Sequence, residues 1–351
     1  AASDVYKRQV DTSLEPVPIE AMAPHGGKTP ATVEVSRLVT IMTGCDNFCS
    51  YCVVPHVRGR ENSRPPRQIV DEITRMVAAG TREVTLLGQN VNSYGLKNGL
   101  CSFAELLEMV NDIKGLRRIR FTTSHPKDLS STLIESFRSL DKLCPHIHLP
   151  VQSGADRVLK RMNRRYSRAQ YIDKVERLRA ACPSVAITTD FIVGFPGETE
   201  AEFEATLSLM REVGFDAVFA FKYSDRPHTA ALHYKHKVPR DEKDRRLQTL
   251  LSVQKAITLR KHACLVGTDQ MVLVERRSKM SHADEVQWSG RTPTHQIVNF
   301  GVATPLTANG DLTGRLVGVT IDQALPHCLT GVAQGVISDG APLKGVDCCA
   351  A

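Results

Sequence analysis

From residue 35 onward, short runs of β-branched and aliphatic residues alternate with stretches whose apolar positions recur every three to four residues. Residues 37–42 form the first such run. Residues 66–79 form the first helical stretch, with Ile69, Ile73, Met76 and Val77 on one stripe and Gly80 as its stop. Runs at 83–87, 118–123, 146–149, 185–193 and 217–221 predict further strands, and stretches at 103–113, 130–140, 168–181 and 199–213 predict the helices between them. Strand and helix in alternation predict an α/β fold with a parallel sheet and helical crossovers. Periodicity alone does not choose between a barrel and a doubly wound sheet. After a charged helical stretch around 240–266 the rhythm shortens. Runs at 271–274, 296–300 and 316–321, with turns such as Asn309-Gly310-Asp311, read as a small all-β barrel.

Composition changes this picture little. A chain of 351 residues, 42% of them hydrophobic, is long enough for an α/β barrel with an appendage and can bury a sizeable core. No apolar stretch approaches the ~20 residues that span a bilayer, so a cytoplasmic protein without membrane association, and a monomer, is expected. Cys101, Cys144, Cys182, Cys264 and Cys328 stand isolated and read as reduced thiols, while Cys348 and Cys349 receive no role. The net charge of +7 suits a polyanionic partner, although an evenly basic surface gives the same total. Residues 1–34, without an initiator Met and rich in Pro and Gly, are expected to be a fusion scar and linker, and residues 337–351 a flexible tail. The domains are then 35–266, strands and helices with a trailing helix, and 267–336, the small barrel.

The densest chemistry lies in Gly44-Cys-Asp-Asn-Phe-Cys-Ser-Tyr-Cys-Val-Val-Pro55, where Cys45, Cys49 and Cys52 stand in a C-x3-C-x2-C spacing on one loop. Thiolates select iron–sulfur clusters, zinc or Cu(I). Three of them on a four-iron cluster leave one iron without a protein ligand. The alternative is a closed zinc site with His56 as fourth ligand, although such sites usually draw two ligand pairs from separate segments. Polar loops, three of them with glycine, follow four later strands: Gly88-Gln-Asn-Val-Asn-Ser-Tyr-Gly95, Ser124-His-Pro126, Pro150-Val-Gln-Ser-Gly154 and Gly194-Phe-Pro-Gly-Glu198. Each alone reads as an ordinary turn. Together with the cysteine loop they would converge at the C-terminal mouth of a parallel barrel, where such folds keep their chemistry.

These segments, together with Arg58-Gly59, Ser63-Arg64-Pro65, Phe121-Thr-Thr-Ser-His-Pro126 and Asp190-Phe-Ile-Val-Gly-Phe-Pro-Gly-Glu-Thr199, resemble the MiaB family of radical S-adenosylmethionine (SAM) tRNA methylthiotransferases over about residues 35–335. The resemblance implies a partial (β/α)6 radical-SAM barrel followed by a TRAM-like RNA-binding barrel. It implies a [4Fe-4S] cluster on Cys45, Cys49 and Cys52 that cleaves SAM, with Tyr51 near the adenine of SAM. It also implies Gly88 and Gln89 at the methionyl amino group, and Gln152 and Asp190 at its carboxylate or ribose. As polar groups at strand ends, those four can equally serve as barrel caps. A deoxyadenosyl radical would then take hydrogen from adenine C2 of isopentenyladenosine beside the anticodon in tRNA. Sister families modify threonylcarbamoyl-adenosine or a ribosomal protein.

Complete members carry an auxiliary [4Fe-4S] cluster in an N-terminal domain, the seat of sulfur insertion. No cysteine precedes Cys45, so a chain limited to SAM cleavage is expected, or, as a second reading, a catalytically incomplete RNA-binding module; sulfur and electron donors are left open. His228 stands where the family usually has Gly. Two basic groups are candidate tRNA contacts: Arg157, Lys160, Arg161, Arg164 and Arg165 on a helix beside the fourth loop, and Arg276, Arg277, Lys279 and Arg291 on the small barrel. Trp288 and Phe300 can stack on a base or simply fill the barrel, the usual fate of aromatics there.

Overall fold

The structure is a computed structural model that describes residues 34–278, 286–302 and 310–337. Expectations placed on residues 1–33, Lys279, Asn309 and 338–351 lie outside the described residues. Six parallel strands carry the first body: β1 (Ser36–Thr40), β4 (Glu83–Leu87), β5 (Arg118–Phe121), β6 (His146–His148), β7 (Ala186–Val193) and β8 (Ala217–Lys222). They pair in chain order as two three-stranded sheets, β1-β4-β5 and β6-β7-β8. The seam between them is held by a parallel bridge of Ile119 with Leu143, where Ile119 N–H donates to Lys142 O (2.8 Å) and Cys144 N–H to Ile119 O (3.0 Å). A sheet in strict chain order with one edge at β1 and the other at β8 is the partial six-stranded barrel foreseen from the alternation and the family resemblance. The first expected strand divides, because Met42–Thr43 (β2) leaves β1 to pair antiparallel with Asn62–Ser63 (β3).

The crossover helices are α2 (Pro66–Ala78), α3 (Phe103–Asn111), α4 (Ser131–Ser139), α6 (Arg168–Ala181) and α7 (Glu200–Val213), joined by the short α1 (Val54–Val57) and α5 (Asp156–Arg161). Their starts are written in the sequence. Ser102 with Glu105, Ser167 with Gln170 and Thr199 with Glu202 each form a reciprocal cap, in which the hydroxyl accepts the N3 N–H and the N3 side chain accepts the cap N–H. Gly214 closes α7 in the left-handed region (φ 60°). Val39, Ile73, Leu86, Leu107, Ile119 and Phe137 are among the side chains that fill one continuous core between strands and helices.

The long α8 (Arg240–Ala263) leads from β8 to the second body, a closed barrel in the order β10-β11-β13-β12-β9. Its strands are β9 (Asp269–Arg277), β10 (Gln287–Arg291), β11 (Ile297–Val302), β12 (Leu316–Ala324) and β13 (Leu329–Val336). Three of the five, β9, β11 and β12, follow the expected runs. The run at β10 escapes pattern reading because Gly290 interrupts it. A Cβ at Gly290 would fall 2.2 Å from Leu273 O, so the β9–β10 ladder closes only over a glycine. Trp288 and Phe300 are buried in the core of this barrel and offer no face for stacking.

A buried charge cluster joins the two bodies. Arg118 and Arg120, on one face of β5, lie beside Glu83 at the start of β4, with Arg120 Nε donating to Glu83 Oε2 at 3.0 Å. Burial opposes ionisation of Glu83, yet Arg120 and Arg118 outweigh it and hold its carboxyl below the usual value. The Nη groups reach the small barrel, Arg118 to Arg291 O (2.6 Å) and Met271 O (3.1 Å), Arg120 to Pro293 O (2.8 Å) and Thr292 O (2.7 Å), while Arg118 Nε is buried without a partner. Removing one member leaves an uncompensated buried charge, which costs about 3–5 kcal/mol. Arg120→Met is therefore expected to lower the urea midpoint by that order and to expose the junction to limited proteolysis. Arg67→Met, which breaks an exposed pair with Asp71, should leave both unchanged; equal behaviour of the two variants would contradict the clasp.

Candidate functional site

The cysteine loop begins where β2 ends, and Gly44 makes the turn at φ 75°. A Cβ there would lie 2.1 Å from Arg60 O, so only glycine fits. The loop has almost no regular structure, and its backbone is satisfied by neighbours. Gly44 N–H donates to Gln89 Oε1 (2.7 Å), Cys45 N–H to Gly59 O (3.3 Å), Ser50 N–H to Met162 O (3.0 Å) and Ala231 N–H to Ser50 O (2.8 Å). Asn163 Nδ2 donates to Phe48 O (2.9 Å) and Ser50 Oγ to Arg161 O (2.9 Å). The turn after α5 thus acts as a cradle for the cysteines.

All three thiols are half-buried and free of disulfides. They sit close enough that Cys45 feels the charge of Cys49 and Cys52, and Cys52 that of Cys49, although burial is the larger cause and pushes the Cys45 thiol up to about 11 and Cys52 upward. Among the described residues, no three His, Cys, Asp or Glu side chains are gathered closely enough to hold one metal ion. His56, the fourth ligand of the zinc alternative, is on α1 with its ring 6.2 Å from that of His228.

The basic turn after α5 corrects one expectation. Helix α5 ends at Arg161, and Asn163 (φ 59°) and Arg165 (φ 57°) both turn left-handed, which swings Arg164 inward between them. Arg164 is buried. Its Nη1 donates to Cys49 Sγ (3.4 Å), Nη2 to Pro150 O (2.5 Å) and Nε to the Tyr166 hydroxyl (2.8 Å). It is no RNA contact but a positive charge against the middle cysteine. A run of charges reads as a solvated helix face only while the helix continues, and here it stops three residues too soon.

A second nitrogen faces the same sulfur: His125 Nε2 lies 3.9 Å from Cys49 Sγ, while its Nδ1 accepts from Lys127 N–H (3.2 Å). Burial first, then the charge of Arg164, holds His125 far below its usual pKa. The Ser124-His125-Pro126 motif marked this residue without showing what it touches. Beside it, Ser124 Oγ and Asn92 Oδ1 are buried with no protein partner. Orphaned polar atoms at the strand ends, next to a cysteine loop, fit a polar ligand there.

The other expected cofactor contacts are placed as follows. Gln89 spends its side-chain oxygen on Gly44, so it braces the loop. Gly88 leaves room for Met42, whose Cγ would be 2.4 Å from a Cβ at that position. Gln152, at φ 76°, bridges to β7 through N–H to Asp190 O (2.9 Å) and O from Ile192 N–H (3.0 Å). Left-handed backbone at a non-glycine residue is held there by its surroundings, a feature common at binding sites. Asp190 Oδ1 stands 3.3 Å from His148 Nε2, a pairing that the sequence did not signal. Tyr51 packs against the apolar group of Val158, Met162, Phe195 and Tyr223, and burial holds its phenol well above the usual pKa.

Of the other arginines, Arg157 is tied to Glu202 Oε1 (2.6 Å) and Gly197 O (2.5 Å), Arg161 lies over the Tyr234 ring (5.0 Å), and Arg291 pairs with Glu275 (2.9 Å). Arg165, Arg276 and Arg277 are exposed, the last 5.5 Å above Trp288. Lower in the molecule, a cavity of about 770 Å³ opens between β6–β8, α8 and the small barrel, lined by His146, His148, Phe219, Arg291 and His295. Its walls come from segments far apart in the chain, which is why no motif announced it.

A family model described as the Radical SAM superfamily matches residues 39–210. The tRNA-2-methylthio-N(6)-dimethylallyladenosine synthase of Desulfosudis oleivorans is 54% identical over 323 residues, covering 90% of this chain and 69% of the relative. The protein of the same name from Syntrophus aciditrophicus is 50% identical over 328 residues, covering 93% and 68%. The chain spans about two thirds of the length of these relatives. Among solved structures, coproporphyrinogen III oxidase from Escherichia coli, a radical SAM enzyme, shares the fold with a TM-score of 0.50 over 76% of this chain and 68% of that one, at 13% identity.

Because Gly44 both turns left-handed and touches Arg60 O, Gly44→Ala is expected to destabilise the loop by at least the ~1–3 kcal/mol of a strained backbone. The checks are thermal unfolding and iron uptake on anaerobic reconstitution, both of which should fall. A variant that takes up iron like the unaltered chain would show that the loop closes by another route.

Proposed function

Since the chain belongs to the tRNA-2-methylthio-N(6)-dimethylallyladenosine synthase family of the radical SAM superfamily, we propose that it serves radical methylthiolation at C2 of isopentenyladenosine in tRNA. The observation that carries this reading is the braced loop of Cys45, Cys49 and Cys52 at the C-terminal mouth of six parallel strands, with unpaired Ser124 and Asn92 oxygens beside it. These residues fit the expected group: three half-buried thiols on one loop, and a cationic side chain to offset the charge of a thiolate-bound centre. Cys45, Cys49 and Cys52 would hold a [4Fe-4S] cluster that takes SAM. When bound, that pair supplies radical chemistry able to break an unactivated aromatic C–H bond, which no acid or base on the protein can address.

The chain's own residues do the rest. Gln89 and Asn163 fix the loop backbone. Gln152 and Asp190, joined by a backbone hydrogen bond, offer polar groups from the fourth and fifth strands for the methionyl carboxylate or ribose. Tyr51, half-buried and backed by Phe195 and Met162, offers its ring as an apolar wall for the adenine. On the body at 267–336, Arg165 aside, the exposed Arg276 and Arg277 supply phosphate contacts for tRNA. No helix among the described residues is long and apolar enough to cross a membrane, and a tRNA substrate puts the activity in the cytoplasm.

The test is anaerobic reconstitution of the chain with iron and sulfide, followed by assay of deoxyadenosine formed from SAM with a reductant. The unaltered chain should bind iron and cleave SAM; the triple variant C45A/C49A/C52A should lose both by at least two orders of magnitude. Stoichiometric zinc with no iron uptake, or SAM cleavage that survives the triple substitution, would refute the reading.

A further inference from the structure

We infer that Arg164 and His125 are positioning residues that set the reduction potential of the group held at Cys49, acting through hydrogen bonds to its sulfur. The inference rests on the reading of Cys49 as a cluster ligand and goes beyond it, since the two residues touch the ligand and not the cluster iron. Three observations converge on one atom. Arg164 Nη1 donates to Cys49 Sγ at 3.4 Å, and the guanidinium cannot drift, because Pro150 O and the Tyr166 hydroxyl hold its other two sides. His125 Nδ1 accepts the Lys127 N–H, which places the proton of the neutral ring on Nε2, the nitrogen that faces Sγ at 3.9 Å. The ring is set edge-on against Tyr166, 5.7 Å between centroids. Tyr166 in turn donates to Val151 O at 2.9 Å, so one phenol orients both donors.

The two flanking thiols are treated differently. Cys45 and Cys52 lean on backbone N–H groups of Asn47 and Val54, as any tight loop provides. Cys52 also feels the charges of Arg164 and Arg226, but of the three sulfurs it is Cys49 that takes a hydrogen bond from the guanidinium. Hydrogen bonds and positive charge at a ligand sulfur withdraw electron density and favour the reduced, more negative state of a cluster, so they raise its potential. Burial strengthens the effect, because water does not screen a guanidinium as enclosed as Arg164. The same side chain ties Pro150, at the head of the loop that carries Gln152, to the cysteine loop. Ligand binding at Gln152 and electron transfer into the cluster would therefore share one strut.

The experiment is an EPR-monitored redox titration of the reconstituted full chain, with and without SAM, on the unaltered protein and on Arg164→Met, Arg164→Lys, His125→Phe and His125→Gln. Iron and sulfide content and circular dichroism are recorded alongside. Arg164→Met and His125→Phe should each favour the oxidised cluster, with Arg164→Met shifting the one-electron equilibrium about tenfold or more, 59 mV for each factor of ten. Arg164→Lys and His125→Gln, which keep the charge or a donor, should recover part of the shift. Unchanged potentials in variants with full iron content would overturn the inference. If Arg164→Met fails to take up iron, His125→Phe decides: a full cluster at the unaltered potential overturns it, and a lowered potential supports it. Failure of the unaltered chain to assemble any cluster would instead overturn the proposed function.

Discussion

A loop that offers three thiols to one centre has no hydrogen-bonded ladder of its own, and its buried N–H and C=O groups must be satisfied from outside. In this chain the partners come from Gln89, Gly59, Met162, Asn163 and Ala231. They belong to four stretches of chain, Met162 and Asn163 sharing the turn after α5, and the parallel barrel is what brings them to one rim. The order of the βα units is thus the condition for the cysteine loop to exist in a fixed shape. Chain order along the sheet sets which loop stands next to which: the second loop braces the first from one side, and the turn after α5 holds it from the other.

The same logic places charge. Arg164 is buried because two left-handed residues turn it inward and three acceptors take its donors. Arg118 and Arg120 are buried for a different purpose, to meet Glu83 and the carbonyls of the small barrel. One cationic group faces the chemistry and the other faces the joint. The exposed arginines on β9 are left for the polyanion that the excess of basic residues suggests. The buried clasp ties the mouth that carries the cysteine loop to the small barrel, an arrangement that would suit the proposed tRNA substrate, gripped in one place and modified in another.

Much of this was legible in the sequence. The alternation of strand and helix gave the six βα units nearly at their observed bounds, because caps such as Ser102, Ser167 and Thr199 are local and need no tertiary context. The cysteine spacing marked the centre, since thiolates three and four residues apart can reach one cluster whatever the fold. What stayed hidden depends on φ and on distant partners. Left-handed turns at Asn163 and Arg165 carry no composition signal, so Arg164 read as part of a basic helix. His148 meets Asp190, and Gly290 meets Leu273, only when strands pair. The cavity beside the clasp belongs to the same class, its walls drawn from β6, β7, β8, α8 and the small barrel.

In the proposed function, Cys45, Cys49 and Cys52 leave one iron of a four-iron cluster free to take SAM. Electron–nuclear double resonance on the reduced, reconstituted chain with SAM labelled by 15N at its amino group and 17O at its carboxylate tests this directly. Hyperfine coupling of the cluster spin to both labels is expected, and its loss in the C45A/C49A/C52A variant. A reduced four-iron cluster on the unaltered chain that shows coupling to neither label in the presence of SAM would contradict it.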